Sequence, residues 1–159
     1  MKELIRDRHL TKYGIEGKVY FSLFNRYIDF HSEEDISEAY ELKCAQYLNS
    51  LSEEIVTHLC LASIAYCNDF LDHIGEPLKE FKQPREVLAL IEPLTLLIPN
   101  PEGSEEPVIH LELNCEWEEE HGMEWVVRGN RVLYVDAFNG VDPWDDFAEE
   151  EYNYVQQNT

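Results

Sequence analysis

The sequence predicts an α+β domain in which a helical hairpin packs on an antiparallel sheet. Residues 109–117 alternate Ile109, Leu111, Leu113, Cys115 and Trp117 with His110, Glu112, Asn114 and Glu116. That is the period of a strand with one face in a core and one in water. Segments 123–128 and 131–135 flank Gly129-Asn130, a pair suited to a tight hairpin turn, so the three segments are expected to form a meander in the C-terminal half. Between residues 33 and 74 the pattern is instead helical, with start and stop signals at both ends.

Each element follows in order along the chain. Residues 19–30, VYFSLFNRYIDF, are rich in aromatic and β-branched side chains and suit a strand or a hairpin. Ser32, followed by Glu33, Glu34 and Asp35, marks a helix N-terminus, with Ile36, Tyr40, Tyr47 and Leu51 near one face. Ser52 opens a second helix with Glu53 and Glu54 in its first turn, and Gly75 with Pro77 closes it. Its middle, LCLASIAYC, is apolar nearly all round, so this helix is expected to be the more buried, and the short NSLS link makes the two antiparallel neighbours. In EVLALIEPLTLLIP, Pro93 removes a backbone donor, which predicts an interrupted or edge strand. The helices are expected to cover one sheet face and leave the other face and the connecting loops for function.

At 159 residues and 44% hydrophobic, the chain is expected to be a single domain, 1–159, with 148–159 a flexible acidic tail. Thirty-three acids against 12 Lys plus Arg give a net charge of −21, which opposes nucleic acid and anionic membrane as partners. The acid is polarised: residues 1–100 carry −7 and residues 101–159 carry −14. Cys44, Cys60, Cys67 and Cys115 show no CxxC pairing and read as small core hydrophobes in a reducing compartment. With no apolar leader segment and no apolar run of membrane-spanning length, a cytoplasmic location is expected.

The stretch CEWEEEHGMEW, residues 115–125, concentrates acid, histidine and tryptophan, so enzyme and metal chemistry are tested on it first. His110, Glu112 and Glu116 share a strand face and His121 follows in the turn, yet there is no HExxH, no clustered cysteine and no EF-hand order in DAFNGVDPWDD. No nucleophile elbow, Cys/His signature or phosphate loop is present, and an exposed Glu run lacks the enclosed cleft that paired-carboxylate chemistry needs. The expectation is therefore a protein without enzyme activity, metal or cofactor. Trp117 and Trp125 fall on apolar strand faces and read as core, whereas Trp144, among Asp142, Asp145 and Asp146, is either an aromatic anchor in an acidic rim or a cap folded back on the sheet. His121 reads as structural, tied to its turn by a hydrogen bond.

The stretches AYELKCAQYLNSLSEEIVTHLCLASIAYC and LELNCEWEEEHGMEWVVRGNRVLYVDAFNGVDPW, residues 39–67 and 111–144, resemble a family of small bacterial immunity-type proteins found beside polymorphic or contact-dependent toxins. The most distinctive part is C-x-W-x-x-E-H-G: Cys115, Trp117, Glu120, His121 and Gly122. The resemblance implies a protein that binds and neutralises a cognate toxin domain. If that toxin is a nuclease, its cleft is basic, and an acidic protein can be steered to it and occlude it. The expected partner surface is Glu116, Glu118, Glu119, Glu120, Asp142, Trp144, Asp145 and Asp146, with the acids steering and Trp144 anchoring. Two rival readings are a small metal-dependent enzyme using His110 or His121 and an oligomeric housekeeping domain.

Overall fold

Among the described residues, seven strands form one sheet in the order of the chain. The computed structural model describes residues 3–102, 105–147 and 153–155. Its elements are β1 (Ile5–Thr11), β2 (Gly14–Phe21), β3 (Arg26–Ser32), α1 (Glu38–Leu48), α2 (Glu53–His73), β4 (Ile91–Ile98), β5 (Val108–Cys115), β6 (Met123–Arg128) and β7 (Arg131–Asp136), with 3-10 turns at Ser22–Phe24 and Pro84–Leu90. Neighbouring strands are antiparallel except β3 and β4, which run parallel. A parallel pair cannot be joined by a hairpin, and residues 33–90, with both helices, make the required crossover. The fold is α+β, with the expected meander at β5–β7.

The first helix starts later than its acidic run suggests. Ser32 is the last residue of β3, opposite Ile15, and its buried hydroxyl donates to the Glu41 carboxylate at 2.6 Å. Ser37 caps α1 instead, accepting from the Tyr40 amide at 3.1 Å. Both serines stand before an acidic turn, and strand pairing at Ser32 decides between them. Ser52 caps α2 as expected, accepting from the Ile55 amide at 3.2 Å.

The core lies between the helices and one sheet face. Cys44 and Leu48 of α1, Leu59 and Cys67 of α2, and Leu111, Leu113, Met123 and Trp125 of the sheet are nearly or fully inaccessible to solvent. Trp125 donates its Nε1 proton to Ser63 at 3.1 Å, so the ring is satisfied inside the core. All four cysteines are buried and unpaired. Pro93 sits where its missing donor costs least. β3 pairs with β4 only from Thr95 to Ile98, so at Pro93 β4 has β5 alone as its neighbour, and the β4–β5 register shifts there. β4 is thus an interior strand with an edge-like first half.

Two departures from simple alternation place functional candidates. In β1, Arg6 faces Lys18 but His9 faces Glu16, so one extra residue is inserted, with Asp7 at φ 56°. The bulge lets Arg8 reach fully buried Glu41, donating from Nε at 2.6 Å. The second departure concerns the sheet face away from the helices, which sequence alternation would leave open. Over β6 and β7 it carries Val126 and Tyr134 and is closed by buried Phe147, whose ring lies 5.3 Å from that of Tyr134.

Of the expected flexible tail, residues 148–152 and 156–159 lie outside the described residues. Residues 153–155 line the β7 edge: the Tyr154 amide donates to the Val135 carbonyl at 2.9 Å, and Asn153 exchanges side-chain hydrogen bonds with Val135 and Leu133. Val155 is buried, so this part of the segment is docked.

Candidate partner-binding site

The acidic corner is the turn from β5 to β6, and its backbone path is set by Gly122. Gly122 has φ 69°, and a Cβ there would come within 2.5 Å of the Leu113 carbonyl oxygen, so any other residue would push the turn away from β5. Tyr66 of α2 donates to the Gly122 carbonyl at 2.9 Å, and Trp117 packs edge-on against the Tyr66 ring at 5.6 Å. Cys115 and Trp117 thus belong to the core, as their alternation predicts, and they tie the corner to α2.

Within the turn the glutamates divide into two kinds. The Glu118 side chain is 11% exposed; it accepts from the amides of Glu120 at 2.9 Å and His121 at 3.2 Å, and from the imidazole Nδ1 of His121. Burial pushes the Glu118 carboxyl up, but the hydrogen bonds from the His121 ring and from the His121 and Glu120 amides outweigh it and leave it below its ordinary range. The hydrogen bond and charge of Glu118 raise the pKa of the His121 imidazole. A lowered carboxyl and a raised imidazole mean the pair is charged and strongest between their two pKa values, and it weakens in acid through the carboxyl and in base through the imidazole. Glu116, Glu119 and Glu120 are exposed.

Beside the corner lies a groove of about 470 Å³ lined by Arg26, Leu90, Glu92, Asn114, Glu116 and Glu119. Arg26 stands 3.8 Å from Glu92, and Asn114 donates to the other Glu92 oxygen at 3.2 Å. Three carboxylates face one guanidinium, so the groove is negative and suits a basic side chain.

The second half of the expected surface lies elsewhere. Residues 137–147 leave the end of β7, cross the outer face of β6 and reach Arg128 at its far end. At the near end, fully buried Glu124 accepts from three consecutive amides, Asn139 at 2.9 Å, Gly140 at 3.1 Å and Val141 at 3.0 Å, and pairs with buried His110. At the far end Arg128 donates to the carbonyls of Pro143 and Asp145. From Glu124 to Arg128 is four strand residues, about 13 Å. Trp144 is half-buried, donates its Nε1 proton to the Asn100 carbonyl at 2.8 Å and has the Arg128 guanidinium 5.7 Å from its ring centroid. Together with Phe147 it holds a strap on the sheet. Asp142 is exposed and turns the chain by accepting from the Trp144 amide at 2.9 Å, while exposed Asp145 and Asp146 follow it.

A protein-family model described as a domain of unknown function, DUF6985, matches residues 2–143, most of the chain. The chain belongs to the DUF6985 family. The family span takes in every strand and both helices, the acidic corner and the Glu124 carboxylate, and it stops just before Trp144, Asp145 and Asp146. No curated protein and no solved structure matches the chain. Among the described residues no helix is long and apolar enough to cross a membrane.

The structure therefore brings together Glu116, Glu118, Glu119 and Glu120, makes Glu118 a brace for the other three, and sets Asp142, Trp144, Asp145 and Asp146 apart on the strap. Glu124 and His110 were missed as a pair. Nothing in the sequence separates His110 and Glu124 from the other polar residues on the outward face, Glu112, Asn114 and Arg128; only the strap laid over them buries the pair.

Proposed function

We propose that this DUF6985 protein is a non-enzymatic, immunity-type binding protein whose acidic corner seats against a basic surface of a cognate toxin domain. The observation that carries the reading is a fixed turn presenting exposed carboxylates of Glu116, Glu119 and Glu120 beside a groove that already holds Glu92. Glu118, His121, Gly122 and Tyr66 fix the turn before any partner arrives, so little ordering entropy is lost on binding. The net charge of −21 gives a long-range field that steers a basic partner, and the corner gives that field a place to dock.

In this reading a lysine or arginine of the partner enters the groove between Glu92, Glu116 and Glu119, and Glu120 extends the contact at the rim. The strap acids add to the field at a distance, and Trp144 serves the strap first. The cytoplasm, where thiols stay reduced, is the proposed site of action, in keeping with four buried free cysteines.

The experiment is a pull-down with tagged protein from its own cells, paired with the reading frame immediately upstream and a neutralisation assay of any toxin domain encoded there. The reading expects one basic partner matching that domain and loss of its toxicity on co-expression. Recovery of this chain alone, with no neutralisation, would reject it.

A further inference from the structure

The helix that is apolar nearly all round turns only part of that surface to the core. Leu59, Cys60, Ser63, Tyr66 and Cys67 of α2 are buried, whereas Leu61 is 52% exposed and Thr57, Ile64 and Ala65 are half-buried. On a helix of 3.6 residues per turn, Thr57, Leu61, Ile64 and Ala65 fall within about 100° of arc and make one stripe. A leucine exposed singly needs no explanation, but this one stands in a contiguous apolar surface.

A groove of about 370 Å³ runs along this stripe, lined by Glu54, His58, Leu61, Ala62 and Ala65 of α2 and by Tyr154 of the docked C-terminal segment. The Tyr154 wall is fixed in advance: its ring stacks on Tyr66 at 5.3 Å and its hydroxyl donates to the Asp69 carboxylate at 2.6 Å. Glu54 stands at one end of the groove and Asp69 at the other, 15 residues and so about 22 Å apart along the helix. In α2 the acids are Glu53, Glu54, Asp69 and Asp72, and there is no lysine or arginine. Of the bases that follow α2, Arg85 is paired with Glu53 and Lys79 is held through its backbone by Asn68, and neither lines the groove.

We propose that this groove is a docking site for an amphipathic helix of a partner protein, apolar along one face and basic at both ends. The middle of α2 has no backbone group left to pair, so an extended segment laid against it would bury its own amides and carbonyls without partners. A helix arrives with its backbone already satisfied. The floor of Ala62 and Ala65 lets such a helix approach to the usual axis separation of about 8–10 Å, with Leu61 packed at its side. Lysine or arginine at its two ends then meets Glu54 and Asp69. Charge excludes a second copy as the occupant: two α2 helices laid side by side, in either direction, set acid on acid at both ends with no base of α2 between them. The site lies on a different element from the acidic corner and stands whether or not the corner binds a toxin.

The probe is a display library of helical peptides, about 18 residues long to match the groove, randomised on one face and selected against the full chain. The expected binders are apolar along one face with Lys or Arg at both ends. Their affinity should fall at least about tenfold in Leu61→Asn and about threefold or more in Glu54→Gln/Asp69→Asn. It should be unchanged in Glu116→Gln/Glu119→Gln/Glu120→Gln at about 0.15 M salt, where distant charges are screened. Binders lost in that corner variant and kept in Leu61→Asn would overturn the proposal while leaving the corner reading intact. No binders, or binders without basic ends, would also overturn it. So would sedimentation showing the chain as a dimer that Leu61→Asn separates, because a second copy would then cover the groove. Leu61 is more than half exposed, so Leu61→Asn is expected to fold, and circular dichroism checks it. Ala65→Gln, which fills the groove, is the second variant, and binding that survives both changes would contradict the assignment.

Discussion

The corner at 116–121 and the strap at 137–147 are both acidic in sequence, yet they use their acid in opposite ways. In the corner one carboxylate, Glu118, is spent on holding the turn and three stand in water. In the strap the binding is done to the segment: Glu124 of the sheet grips its amides, Arg128 grips its carbonyls, and Trp144 and Phe147 pack it down. A run of acids in a sequence therefore does not say whether the segment is offered or fastened. The backbone amides and carbonyls decide, because a segment that has given them to the sheet cannot adapt to a partner.

The largest effect expected from breaking this contrast is at Glu124. Glu124→Ala leaves three amides and His110 without their acceptor in a buried place, and a loss of about 3–5 kcal/mol is expected. Chemical denaturation measures it, and limited proteolysis should cut first within 137–147. Equal resistance to protease in variant and parent would show that the strap is held by its apolar residues alone.

Asp136, where β7 leads into the strap, gives the next effect and with the opposite sign. Burial pushes its pKa up to about 6; the hydrogen bond from the Ala137 amide pulls the other way, and the neighbouring charges of Asp69 and Glu124 add to the rise. The folded chain then holds a proton that the unfolded chain releases, so this group costs stability above pH 6 and the cost fades as pH falls towards 4. Asp136→Asn should stabilise the fold by about 2 kcal/mol at pH 8 and by almost nothing at pH 4. Thermal unfolding at the two pH values checks it; a gain that does not depend on pH would contradict the assignment.

A smaller loss is expected at Trp144. Trp144→Ala removes the hydrogen bond to Asn100 and a half-buried ring, for about 1–2 kcal/mol of stability. Smallest on stability is the corner: changing Glu116, Glu119 and Glu120 together to Gln should move unfolding by within about 0.5 kcal/mol, since none is buried. A clear gain in stability would mean that these acids repel one another enough to strain the turn.

Much of the frame was legible because its signals are local. The alternation at 109–117, the Gly129-Asn130 turn and the Ser52 cap each act within a few residues, and the structure follows them. Ser32 misled because two capping serines lie five residues apart and only the pairing of β3 with β2 separates them. β1 carried no readable pattern because its bulge breaks the alternation at Asp7. The division of the corner acids was out of reach for another reason: Glu118, Glu119 and Glu120 are alike in sequence, and only the fold of the turn aims one of them at His121. The expected partner surface split because nothing local in DPWDD says that Arg128 and Asn100 will hold it.

The most direct measurement is the association rate of the toxin domain proposed as partner, once the pull-down has identified it, with three forms of this protein, the parent, Glu116→Gln/Glu119→Gln/Glu120→Gln, and Asp145→Asn/Asp146→Asn, over a range of salt. The account predicts that the corner variant associates at least about tenfold more slowly at low salt, with a flattened salt dependence, while the strap variant stays close to the parent. Equal rates for corner variant and parent, or a larger loss in the strap variant, would contradict it.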